Sequence, residues 1–350
     1  MTEEEQNELN EKLLDAISQE EENMDTIRAL VAEGADVLRQ NDEQQNLLHI
    51  AAKQAADDEV FLFLIEHGVE INARDDAGNT PLQYVCKLKY DVEELFITLV
   101  KAGADIHTRN NNGDTLLHSA IDSNNSEILR LLLKGDMTKE LEVENSENST
   151  PLRAALNEGK SVCARLLIAA GADIHAEDEE GETMLHTAAE GADSEMLLYL
   201  LRNGLGDKLN AKTTRGGTPL HNACWTRNSD ACVRLLLEAG ADVNAGDGSC
   251  GTPLDSAVGG LGEKAECVRL LLEAGANPNS TDFRGDTPLI GAVQRYAYGQ
   301  SGAYPIIHLL LEHGADVHAA NKEGRTALQW AERSPYLHSL LQEWARKQEH

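Results

Sequence analysis

Between Gly216 and Asp247 the apolar residues arrive in two bursts, each the length of a short helix. Leu220, Ala223 and Cys224 are spaced to share one stripe of the first helix. Thr218 stands before it as an N-cap, and Pro219 occupies the first turn, where a missing N–H costs nothing. The second burst, Val233, Leu235, Leu236 and Leu237, stops at Gly240, a residue type that tolerates the left-handed conformation at a helix C-terminus. Ala241 to Asp247 is short, polar and extended, and runs into the next Gly-Thr-Pro-Leu. The pattern predicts a helix–turn–helix followed by a hairpin-like connection.

The same pattern recurs along the chain. Aligned on the capping residue, the units begin at Asn46, Thr80, Thr115, Thr150, Thr183, Thr218, Thr252, Thr287 and Thr326, with spacings of 33 to 35 and a final 39. The core Thr218-Pro219-Leu220-His221-Asn222-Ala223, at this period, resembles the ankyrin repeat. The fold class expected from that resemblance is all-α, an ankyrin-repeat solenoid of stacked helix–turn–helix units with β-hairpin-like connections. Residues 1–43 read as acidic N-terminal capping helices (Asn7 to Ser18 and Asp25 to Glu33), 44–322 as eight repeats, and 323–350 as a C-terminal capping repeat. The last helix is expected over Tyr336 to Arg346, with Trp330 and Trp344 sealing the final layer.

Irregularities mark individual units. An insertion, Tyr296 to Pro305, separates the two helices of the unit opened by Thr287, and its glycines and proline favour a loop over a longer helix. The connections from Gly135 to Thr150 and from Gly204 to Thr218 are longer than the usual 12 residues. The first of these is unusually acidic, and a hinge or kink is expected there.

Aromatic residues are only 4% of the chain, so its core is built from Leu, Ala and Val. No apolar run is long enough to span a membrane. The acidic opening, MTEEEQNELNEKLLD, lacks the features of a signal peptide. The expected setting is cytoplasmic, with the nucleus or delivery into a host cell as an effector left open. The net charge of −30 is concentrated in residues 1–201, which carry 43 Asp or Glu against 15 Lys or Arg; residues 202–350 carry 17 against 15. A field of this sign repels nucleic acid and anionic membranes and favours a basic protein partner or solubility. The six cysteines show neither C-x-x-C pairs nor zinc-finger spacing, so reduced and mostly buried thiols are expected.

His49, His118, His186 and His221 each lie three residues after a unit's first residue. The family resemblance implies a structural imidazole bonded back to the capping Thr. Gln83, Arg153, Asp255, Ile290 and Gln329 take the same place elsewhere, so no row of metal ligands runs along the array. Asn72, Asn210, Asn244 and Asn279 recur in the extended segment, where a turn residue bonding local backbone is the simplest reading. The resemblance also makes Asn244 a candidate for asparaginyl hydroxylation. Asp75-Asp76, Asp178-Glu179-Glu180 and Asp247 are expected to lie exposed at hairpin tips, and Cys250 lies in a tip as well. No catalytic constellation and no cofactor site emerge from the pattern, and an enzyme is not expected.

Partners of ankyrin repeats dock on the concave side, formed by hairpin tips and the exposed face of each first helix. Residues seven and eight after each unit start, such as Glu190, Trp225 and Arg295, are expected on that face. Trp225, Arg227, Phe283, Arg295 and Tyr296 surround Gly259-Gly260 and form the candidate partner-binding cluster. The expected function is a non-catalytic adaptor or scaffold, a monomer, holding a protein with a basic segment. An effector or regulatory inhibitor that occludes a basic surface of its target, or a hydroxylase substrate, remains the alternative.

Overall fold

The computed structural model describes residues 2–18, 24–89, 92–135, 137–246, 251–300 and 302–348, and their regular elements are helices. Two compact units are present, residues 1–155 with 162–173, and residues 156–161 with 174–350. The first unit opens with α1 (Glu3–Ser18) and α2 (Met24–Ala32), followed by the pairs α3 (Leu47–Gln54) and α4 (Asp58–Glu66), α5 (Pro81–Cys86) and α6 (Glu93–Lys101), and α7 (Leu116–Asp122) and α8 (Ser126–Lys134). Next come α9 (Pro151–Asn157), whose last two residues belong to the second unit, and α10 (Ser161–Ala169), whose first residue does. The second unit contains α11 (Met184–Glu190) with α12 (Ser194–Leu200), α13 (Pro219–Trp225) with α14 (Asp230–Glu238), α15 (Pro253–Gly259) with α16 (Ala265–Glu273), and α17 (Pro288–Ala297) with α18 (Ala303–Glu312). It ends with α19 (Ala327–Trp330) and α20 (Pro335–Gln348). Within each unit first helices pack on first helices and second helices on second helices, giving two layers.

Small residues let the first layer close up. Ala51, Ala120, Ala188, Ala223, Ala257 and Ala292 each lie five residues after a unit start and are fully buried. A helix presenting Ala there admits its neighbour closely, and Leu48, Leu117, Leu185, Leu220 and Leu254 fill the space between layers. Among the described residues no strand forms. The hairpins are tight turns with isolated antiparallel bridges at Arg109–Thr115 and Ala320–Thr326. Successive turns are linked by single backbone hydrogen bonds, such as Asp76 N to Glu43 O (3.0 Å), Asn111 N to Ala77 O (2.9 Å) and Thr214 N to Glu180 O (2.7 Å).

Four of the first helices start by one design. The backbone N–H of Thr115 donates to His118 Nδ1 (3.3 Å), so Nδ1 accepts and Nε2 carries the proton it donates to Ser149 O (2.9 Å), 31 residues on. His49 spans Asn46 and Asn79 O in the same way, and His186 spans Thr183 and Gly217 O. Gln83 performs the same task with an amide: Oε1 accepts from Thr80 N (2.9 Å) and Nε2 donates to Asp114 O (3.1 Å). Each such side chain completes a capping box and ties its layer to the next. The asparagines of the extended segment also act across layers, not locally as expected. Asn72 Nδ2 donates to Gly103 O and its Oδ1 accepts from Asp105 N; Asn244 and Asn279 make both bonds in later units.

Several expectations need correction. Helix α1 starts at Glu3, not Asn7, because Thr2 caps it: Thr2 Oγ1 accepts from Glu5 N, and Glu5 Oε2 accepts from Thr2 N. The insertion Tyr296 to Pro305 is not all loop. It lengthens α17 to Ala297, and Pro305 lies in the first turn of α18, where helices need no N–H. Asp75 is buried (7% exposed), not free at a tip, and accepts from Tyr84 Oη (2.6 Å), Gln45 Nε2 (3.3 Å) and Asn79 N (2.8 Å). Trp330 and Trp344 are half-buried beneath Arg325 and Lys347; Ala327, Ala331, Leu337, Leu341 and Ala345 fill the last layer instead. In the acidic connection after α8, where a hinge or kink is expected, Met137 and Leu141 are buried and Glu140 Oε1 lies 2.7 Å from His107 Nδ1, so the segment is packed against its own unit. The longer connection after α12 is taken up by a kink, where Asn203 and Gly204 leave helical geometry (Gly204 at φ +118°), followed by a 3-10 turn over Gly206–Lys208.

Burial pushes the imidazoles of His49 and His118 below their ordinary value of 6.5. The unfolded chain therefore takes up protons at higher pH than the folded one. The stability these residues contribute is fully present above about pH 6.5, their unfolded value, and is lost as pH falls from there through the lower folded pKa. Thermal melts followed by circular dichroism should show the His49→Gln/His118→Gln protein, which copies the amide found natively at Gln83, losing less stability between about pH 7.5 and 5.5 than the parent.

Candidate binding face around Trp225

Trp225 is the last residue of α13, and both carbonyls at this helix end are held. Trp225 O accepts from Leu261 N (2.9 Å); Thr226 O accepts from Ser229 Oγ (2.7 Å) and from the ammonium of Lys264. Lys264 is only 2% exposed, an unusual burial for a lysine, and it also approaches Ser229 Oγ at 3.4 Å. Beside it Cys267 Sγ donates to Asp230 Oδ1 (2.8 Å), and desolvation with that carboxylate pushes the thiol up to about 12. The buried cluster fixes the backbone from which the indole projects.

Trp225 remains 48% exposed. One side lies on α15, where a Cβ on Gly259 would come within 3.3 Å of ring atom Cζ3. At Gly260 a Cβ would meet Cys224 O and Ser256 O at 2.9 Å and Trp225 O at 3.0 Å, so only glycine allows this approach. Two clefts of about 320 Å³ each open on this face. Glu182, Glu190, Arg215, Asn222 and Trp225 line the first. Asp255, Asp282, Arg284, Asp286 and Arg295 are among those lining the second. Arg295 Nη1 donates to Gly259 O (2.6 Å), and burial pushes its guanidinium below its ordinary value. Asp255 accepts from Thr252 N and Oγ1 (2.8 Å each) and from Ser280 Oγ (3.2 Å), yet burial still raises its carboxyl. Along the packed helices α11, α13, α15 and α17 the face reads carboxylate, indole, gap and guanidinium: Glu190, Trp225, Gly259 and Arg295.

The predicted cluster is therefore brought together only in part. Trp225 and Arg295 meet the same glycine. Phe283, 57% exposed, lies at the turn between Asp282 and Asp286 with Arg284 over its ring at 5.1 Å. Arg227 is exposed and runs against Gly262. Tyr296 belongs to another group, with its ring 6.2 Å from Tyr304, which lies 5.8 Å from Tyr336. The insertion Tyr296 to Pro305 places Tyr304 in the first turn of α18, against Tyr296 near the end of α17. Glu182, Arg215, Asn222 and Lys264 escaped the sequence reading; Asn222, Ser256 and Gly291 recur four residues after their unit starts, a periodicity that points to this face. Asn244 is exposed, and both of its amide atoms bond the next layer at Gly275 O and Asn277 N. An enzyme acting on it must first displace those bonds. Cys86, Cys163, Cys224, Cys232 and Cys267 are all buried, as expected; Asp247 and Cys250 lie outside the described residues.

A family model described as ankyrin repeats (3 copies) matches residues 89–178, 152–247 and 254–344, and one described as ankyrin repeats (many copies) matches residues 30–85. No curated protein matches the chain. Among solved structures, the crystal structure of the ankyrin repeat domain of Bcl-3, described there as a unique member of the IkappaB protein family, is 33% identical. The match covers 66% of this chain and 100% of that chain, with a TM-score of 0.51. No helix among the described residues is long and apolar enough to cross a membrane.

The two floor glycines should respond differently to a methyl group. Gly260→Ala forces backbone apart and should cost about 1–3 kcal/mol in urea denaturation. Gly259→Ala meets only one edge atom of a half-exposed side chain, and no backbone, so it should cost less than about 1 kcal/mol while shifting the Trp225 indole resonance.

Proposed function

The chain belongs to the ankyrin-repeat family, and from that premise we propose that it is a non-catalytic protein-recognition module whose second unit holds its partner on the face around Trp225. Ankyrin repeats are generally protein–protein interaction modules, and their fold is typically a non-catalytic scaffold. The observation that carries the reading is the exposed Trp225 on a backbone held by Leu261 and Lys264, lining one cleft, with a second cleft beyond Gly259. Aromatic and arginine side chains supply most of the energy at such interfaces. Ordering the anchor in advance lowers the entropy lost on binding.

The partner in this reading is a protein with a basic segment. Residues 1–201, with 43 acidic against 15 basic side chains, raise the rate at which such a segment arrives, whereas Trp225 and Arg295 set how long it stays. Residues 1–43 and 323–350 serve as caps, shielding the ends of eight repeats over 44–322.

Proteins retained on the immobilised chain at low salt and identified by mass spectrometry supply partners for quantitative work. For a partner held on this face, Trp225→Ala should weaken affinity about 30-fold, equivalent to about 2 kcal/mol. Association should slow as salt rises. A partner indifferent to both changes would refute the proposal.

A further inference from the structure

The protein-recognition reading leaves open which part of a partner enters the cleft beside Trp225, and the lining of that cleft narrows the choice. Glu190 on α11 and Trp225 on α13 hold equivalent places on neighbouring first helices, and both line the recess with Glu182. Asn222 Nδ2 donates to Glu182 Oε1 at 3.4 Å, which keeps that carboxylate at the wall. The turn carrying exposed Glu179 and Glu180 is tied to the turn of Arg215 by the bond from Thr214 N to Glu180 O (2.7 Å). Two carboxylates inside and two more on the adjacent turn outweigh the guanidinium of Arg215 in the lining.

Three kinds of side chain could be offered to such a recess. An anion would face Glu182 and Glu190 across a short gap and be repelled. An apolar side chain would strip water from both carboxylates and return no hydrogen bond, which is costly. A cation gains from each wall, since the indole face attracts it through the ring quadrupole and the carboxylates attract it as charges. At about 320 Å³ the recess suits one long side chain, not a folded element.

We propose that the cleft seats a single lysine or arginine side chain of the bound polypeptide, its cationic head between the indole of Trp225 and the carboxylates of Glu182 and Glu190. This inference rests on the protein-recognition reading and adds the chemistry of one subsite. Arg215 acts against it as an internal competitor for the same carboxylates, so it lowers the affinity for an entering cation.

The test follows the indole N–H resonance of Trp225, assigned by its loss in Trp225→Phe, during titration of the full chain with N-acetyl-arginine amide and N-acetyl-lysine amide. N-acetyl-citrulline amide and N-acetyl-norleucine amide serve as neutral counterparts of similar length. Saturable shifts are expected from the cationic probes, at least tenfold weaker from the neutral ones. Glu182→Gln/Glu190→Gln should weaken the cations at least tenfold, and Arg215→Gln should tighten them severalfold. Equal response to neutral probes, no shift with either cation, or unchanged binding by a carboxylate variant with a native melting curve would overturn the proposal. A protein partner that depends on Trp225 but not on the two carboxylates removes the cation seat and leaves the recognition module standing. Conversely, cation probes that titrate Trp225 while no partner depends on it leave the seat and remove the module.

Discussion

A pair of short helices satisfies neither its apolar sides nor its polar ends alone, and in this chain both deficits are met by the following pair. The clearest expression is the side chain three residues after each capping Thr or Asn. His118 accepts from the N–H of its own cap and donates to Ser149 O in the next layer. That carbonyl precedes the next capping residue, so the bond positions the start of the next helix as well. Gln83 substitutes for the imidazole because an amide also offers one acceptor and one donor at about the right separation. What is repeated is a donor–acceptor pair; histidine is one means of supplying it.

The binding face lies where this linkage changes character. Asp255 occupies the imidazole's place in the unit that carries the glycine floor, and its carboxyl oxygen accepts three hydrogen bonds instead of joining one acceptor to one donor. It turns to Thr252 and to the hydroxyl of Ser280, and it lines the second cleft. Ile290, in the next unit, has neither donor nor acceptor in its side chain. Contact between these layers depends more heavily on packing, and here α15 ends beside two glycines that admit an indole at one side and the Arg295 guanidinium at the other. The face is thus a local departure from the repeat, made from the same positions.

That relation explains how much could be read beforehand. Residues that recur with the period were legible because every unit draws on the same few positions: capping Thr, buried Ala, terminal Gly and the linking His. The exceptions depended on partners far away in the chain. Asp75 looked like an exposed tip residue, yet Tyr84 and Gln45 from two different elements enclose it. Tyr296 seemed to belong with Trp225 until the insertion brought Tyr304 against it. Lys264 had no local signal at all; its burial follows from the carbonyls left at the end of α13, which only the folded arrangement reveals. Of the site, the indole, the glycines and Arg295 could be read from the pattern, and the charged walls of the first cleft could not.

Buried Lys264 also bears on why an exposed tryptophan suits recognition here. A charge inside a protein is expensive, and this one is retained against carbonyl, hydroxyl and thiol partners at the end of a short helix. A hydrophobic residue of similar length would fill the space but leave Thr226 O with fewer donors, and the backbone below the indole would loosen. A loose indole loses affinity twice, because it must be ordered on binding and because it would settle on nearby apolar surface when free. Gly259 brings no side chain against the ring edge, so Trp225 stays about half exposed while its backbone is held. Rigidity beneath and exposure above are separate requirements, and the chain meets them with different residues of neighbouring helices and the turns that join them.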